Sequence, residues 1–94
     1  MQIQTVKLTD LESLRVGDEL VVLAFKEHRI SIANEGSFRH HLGKVIAVEQ
    51  EQMLGLNRKH SLRYRIMGVN GMIELSADTD LSEHFQVWKL EISY

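Results

Sequence analysis

Ser61-Leu62-Arg63-Tyr64-Arg65-Ile66-Met67-Gly68-Val69-Asn70-Gly71-Met72-Ile73-Glu74-Leu75-Ser76-Ala77-Asp78 reads as a β-hairpin. The turn signal is Asn70-Gly71, since a type I′ turn needs positive φ at both central residues and Asn-Gly meets that at little steric cost. Folding the strands about this dipeptide sets Ile66 opposite Leu75 and Tyr64 opposite Ala77 on one face. Met67 then faces Glu74, Arg65 faces Ser76 and Arg63 faces Asp78 on the other. One face is apolar and the other polar, the pattern of a half-buried antiparallel pair. The rest of the chain has to supply strands that cover the apolar face.

Working outward, Gln86 to Ile92 is the closing strand, with Trp88, Leu90 and Ile92 sharing a face. Before it, Thr79 to His84 reads as a single capped helical turn. Upstream, Leu42 to Gln50 carries Val45-Ile46-Ala47-Val48, and Glu19 to Phe25 carries Leu20-Val21-Val22-Leu23-Ala24; both read as buried strands. Between them, Lys26 to His41 is a long polar connection. It holds Ile30-Ser31-Ile32, a short strand, and Asn34-Glu35-Gly36-Ser37, a turn, so a hairpin-like excursion is expected. Glu51 to His60 is a second connection. Gln2 to Thr9 reads as an edge strand, and Thr9 to Leu14 as one helical turn capped by Thr9 or Asp10. The expected core is Leu20, Val22, Ile46, Val48, Tyr64, Ile66, Ile73, Leu75, Trp88 and Leu90.

Ninety-four residues make one domain, 1–94, with room for one modest core. The hydrophobic share of 44% and charged share of 26% are those of an ordinary folded protein. There are no cysteines, which removes disulfides, thiol chemistry and Cys-based zinc sites, and fits a reducing compartment. The first residues lack the apolar run of a signal peptide, and no stretch is long and apolar enough to span a bilayer. The expectation is a soluble, cytoplasmic protein with no membrane contact.

The order of elements resembles that of small SH3-like barrels, the broad group of SH3, Tudor and KOW-type domains. Four local stretches carry the likeness: Leu14-Arg15-Val16-Gly17-Asp18-Glu19 entering the first barrel strand, Gly43-Lys44-Val45-Ile46-Ala47-Val48, Tyr64-Arg65-Ile66, and Val87-Trp88-Lys89-Leu90-Glu91. The resemblance implies an all-β fold over residues 14–92. It would be a five- or six-stranded antiparallel barrel with one or two short helical turns, and residues 1–13 would add a strand and a turn.

Charge is unevenly spread. Residues 26–65 hold eight Lys and Arg against four acids, a net +4, and the remainder holds three against nine, a net −6. Candidate partner-binding residues therefore lie in the basic middle: Arg63 and Arg65 on the polar hairpin face, Arg58 and Lys59 just before it, and Arg39, His40, His41 and Lys44 beside the long connection. A solvated face with local salt bridges such as Arg63–Asp78 is the plain alternative. The adjacent His40 and His41 point opposite ways on an extended chain and make poor joint metal ligands, so no metal site is expected. Met53, Leu54 and Leu56, with Met67 and Val69, can form an exposed apolar patch of the kind that marks interfaces. Tyr64 and Trp88 sit on the apolar phases of their strands, which favours core packing over a ligand cage. No nucleophile elbow, phosphate loop or HExxH stands in the sequence, so no catalytic residues and no cofactor are assigned.

These features point to a non-enzymatic binding module, an adaptor or inhibitor that docks on a larger, acidic protein partner through the basic loop and strand. Phosphate-backbone binding to nucleic acid is the alternative on the same residues. A homo-oligomer assembled through residues 1–9 is the third.

Overall fold

A computed structural model describes residues 2–32, 36–52 and 60–93. Eight strands follow in order: β1 (Gln2–Lys7), β2 (Glu19–Ala24), β3 (Ile30–Ile32), β4 (Gly36–Phe38), β5 (His40–Gln52), β6 (His60–Gly68), β7 (Gly71–Ser76) and β8 (Phe85–Ser93). Six of them form one antiparallel sheet in the order β1-β8-β2-β5-β6-β7. β3 and β4 pair as a separate small hairpin, the excursion expected between β2 and β5; of the turn expected at Asn34-Glu35-Gly36-Ser37, Asn34 and Glu35 lie outside the described residues, and Gly36 and Ser37 belong to β4. The fold is all-β. The described strands do not close into a barrel, because β1 and β7 stand at opposite edges of the sheet. Among the described residues there is no helix, so the expected helical turns are corrected. Residues 10–13 form a bend fastened by Glu12 N–H donating to Asp10 Oδ1 at 3.1 Å, and residues 79–84 are irregular. No helix among them is long and apolar enough to cross a membrane.

The β6–β7 hairpin forms, in a different register from the one its turn dipeptide implied. Gly68 pairs with Gly71, so Val69-Asn70 are the central residues and Tyr64 faces Leu75, Ile66 faces Ile73, and Arg65 faces Glu74. Neither Val69 nor Asn70 has positive φ; Gly71 does, at 121°. The glycine therefore follows the turn instead of sitting inside it, and the β-branched Val69 keeps an ordinary negative φ. The register differs by two residues from the expectation. Side chains alternate with period two, so the apolar face of the hairpin survives the slip intact.

The inner face of the sheet is lined by Leu20, Val22, Val45, Tyr64, Ile66, Ile73, Leu75 and Val87, all buried. Ile30 and Ile32 of β3 and the loop residues Leu11 and Leu14 cover them. Two expectations on this core are corrected. The β5–β6 register shifts between Val45 and Ala47, a bulge at Ile46. One extra residue switches the alternation, so Val45 faces the core before the bulge, Val48 packs against it after, and Ile46 is 46% exposed. On β8 the buried residue is Val87, not Trp88 or Leu90. Val87 lies opposite Val22, whereas Trp88 lies opposite Val21 on the other side of the sheet.

Candidate functional site

With its inner face packed, the sheet turns its outer face to solvent. The register sets two rows of side chains across it. Lys7, Trp88, Val21 and Leu42 lie side by side on β1, β8, β2 and β5. One step along, Thr5, Leu90, Glu19, Lys44, Met67 and Met72 span all six strands. Leu42, Met67 and Val69 are exposed, and Trp88, Leu90 and Val21 are half-buried. Between the rows runs an open groove of about 520 Å³ lined by Leu42, Met67, Val69 and Leu90, with the Lys44–Glu19 ion pair at its side.

Gly43 and Gly68 pair directly across β5 and β6 and also line the groove. Their bareness has a steric reason. A Cβ on Gly68 would lie 2.1 Å from the Leu42 carbonyl oxygen, and one on Gly43 would lie 2.7 Å from that of Met67. Both would also press on the His41 ring, at about 3 Å. His41 fills the space beneath the two glycines and is fully buried. Its Nε2 is 3.3 Å from the Ile66 carbonyl oxygen. A carbonyl only accepts, so Nε2 carries the proton and Nδ1 is left as a buried acceptor with no partner among the described residues. Burial, together with the neighbouring His40, pushes the His41 pKa down, against the raising effect of the Ile66 bond. His41 therefore offers no surface to a partner, contrary to its place in the expected basic patch.

The other expected residues fall as follows. Arg63 and Arg65 are on the outer face of the hairpin and Lys44 joins them there from β5, but each meets a carboxylate. Arg63 Nη1 is 3.3 Å from Glu74, Arg65 lies 3.4 Å from Glu49 and 3.5 Å from Glu74, and Lys44 is 3.8 Å from Glu19. Arg63 thus takes Glu74 as an ion partner, where the sequence pointed to Asp78. Arg39, just before β5, and His40, at its start, are exposed. Arg58, Lys59 and the Met53-Leu54-Gly55-Leu56 tip lie outside the described residues. Among the described residues no three acidic or histidine side chains converge as metal ligands.

Two groove residues, Leu42 and Leu90, and Trp88 in the neighbouring row of the same face escaped the sequence reading as surface groups. The available signal was β8 itself, where Val87 and Trp88 are apolar on both phases. A strand apolar on both faces calls for a covering layer on each side.

No family model matches the chain, and neither a search of curated proteins nor one of solved structures finds a match.

Proposed function

We propose that this chain is a non-enzymatic protein-docking module, an adaptor or inhibitor that seats a larger protein on the outer face of its sheet. The observation that carries this reading is the uncovered apolar groove between Leu42, Met67, Val69 and Leu90. An apolar centre ringed by charged groups is the anatomy of a protein–protein interface. The charges argue against a polyanion as the occupant. Nucleic-acid affinity comes from cations that release counterions, and on this face Lys44, Arg63 and Arg65 already lie within 4 Å of Glu19, Glu49 or Glu74. A protein surface with its own apolar knob and mixed charges fits better than a phosphate backbone. The sheet order supports the SH3-like reading of the architecture: β2-β5-β6-β7 is a meander, and β8 returns beside β2. A chain free of cysteine suits the reducing cytoplasm, where we propose it acts.

The test is affinity capture with nuclease treatment, run in parallel on the parent chain and on Leu42→Asp, Met67→Asp and Glu27→Lys. The expected result is a stoichiometric protein that survives nuclease, is retained by Glu27→Lys and is lost by both groove variants. Nucleic acid in the eluate, with every protein partner lost on nuclease treatment, overturns it.

A further inference from the structure

The two edges of the sheet are treated differently. At one edge β3 lies against β7. At the other, all six residues of β1 are exposed. β1 also lacks the usual edge protection, having no proline and a single charge, Lys7.

Which backbone groups that edge presents follows from one hydrogen bond. Leu8 N–H donates to the Val87 carbonyl at 2.9 Å, in line with the β1–β8 ladder that runs from Gln2↔Ser93 to Lys7↔Trp88. In an antiparallel ladder, bonded and non-bonded residues alternate. Gln2, Gln4 and Val6 therefore direct their N–H and C=O groups at β8. Ile3, Thr5 and Lys7 direct theirs outward, at the open edge.

We propose that this edge pairs, antiparallel, with the same edge of a second copy, about a two-fold axis between the two Thr5 residues. The register is fixed by the outward groups. With Thr5 opposite Thr5, Ile3 lies opposite Lys7 on both sides, and every outward residue of β1 finds an outward partner. A shift of two residues either way leaves one outward residue of each copy with no outward partner in β1. Charge selects the direction. Parallel pairing brings the two Lys7 ammonium groups together. The antiparallel register holds them four residues apart, about 13 Å at roughly 3.3 Å per residue, which is beyond a Debye length of about 8–10 Å. It also lays each Lys7 stem along the partner's Ile3, which is otherwise 62% exposed. An edge that satisfies itself so fully makes a second copy the fitting occupant.

The test uses sedimentation equilibrium of the intact chain across the micromolar range. The parent chain is expected to dimerise. Thr5→Pro removes an N–H that β8 does not use, and is expected to weaken dimerisation about tenfold or more, with circular dichroism unchanged and, at dilutions where the parent is monomeric, the melting temperature unchanged too. Thr5→Cys gives an independent reading, because the chain has no other cysteine. In the proposed register the two Cα atoms stand about 5.5 Å apart, within disulfide reach of about 4.4–6.8 Å. Mild oxidation should cross-link Thr5→Cys to a covalent dimer much faster than Glu27→Cys, which is exposed elsewhere. A parent chain that stays monomeric, a folded Thr5→Pro that dimerises as well as the parent, or equal cross-linking of the two cysteine variants overturns the proposal.

Discussion

The His41 Nε2 atom lies 3.3 Å from the carbonyl oxygen of Ile66, on the neighbouring strand, directly under the Gly43–Gly68 pair. The contact fixes which ring nitrogen carries the proton and leaves the other without a buried acceptor for a second one. Adding a proton to His41 therefore costs more in the fold than in the unfolded chain.

The native pKa of His41 is depressed below the ordinary 6.5. Between that value and the depressed one, the unfolded chain binds a proton that the native chain refuses, so stability falls as pH falls. The His41 contribution is complete above about pH 6.5 and is lost as pH drops through the native value. Melting temperature measured from pH 7.5 to 5 should decline, and the decline should shrink in His41→Leu. Equal declines in the two proteins would show that other groups set the acid limit.

Tyr64 has the opposite sign. Burial, with the Glu12 and Asp10 carboxylates nearby, raises its phenol above the ordinary 10.0. Stability is intact below that value and is lost as pH rises past it toward the native pKa. Spectrophotometric titration should find one tyrosine ionising late, and Tyr64→Phe should remove that transition and soften the alkaline loss of stability.

The two glycines under the groove should resist even one added carbon. Gly68→Ala forces a Cβ to within 2.1 Å of the Leu42 carbonyl and 2.9 Å of the His41 ring. We expect a loss of roughly 1–3 kcal/mol in denaturant unfolding, as for other overpacked sites. Gly71→Val should lose a similar amount for a different reason, since φ of 121° is open only to glycine.

The hairpin register is open to a direct measurement. Arg65 and Glu74 face each other in the structure and approach to 3.5 Å. Both are about 40% exposed, so a double-mutant cycle should return a small coupling of roughly 0.2–1 kcal/mol that weakens with salt. In the register centred on Asn70-Gly71, Arg65 faces Ser76, and the Arg65–Glu74 coupling would be absent.

Val87 and Trp88 separate folding from binding. Val87→Asp puts a charge into the packed face and should prevent folding. Trp88→Lys changes a half-buried side chain on the outer face, and should leave a folded protein with weakened partner capture. An unfolded Trp88→Lys beside a stable Val87→Asp would mean that the two faces of β8 are exchanged.

The residues alone make legible that the chain is all-β, where most strands lie, and which hairpin face is apolar. Alternation at Tyr64, Ile66, Ile73 and Leu75 needs only local pleating, and a two-residue slip leaves it unchanged. The strand at Gln2–Lys7 was legible despite an imperfect alternation, and the β3–β4 excursion from Ile30-Ser31-Ile32 standing within a long polar connection. Which phase faces inward, where both are apolar, depends on how the strands pair. In Val45-Ile46-Ala47-Val48 the bulge settles it, and in Val87-Trp88 the pairing with Val22 and Val21 does. The candidate site depended on the same kind of choice. Arginines that looked like a free basic surface meet glutamates carried on β5 and β7. A histidine that looked exposed is enclosed by two glycines 25 residues apart in the chain. Neither relationship has a local signal, because each is set by register between strands, and register is a property of the assembled sheet.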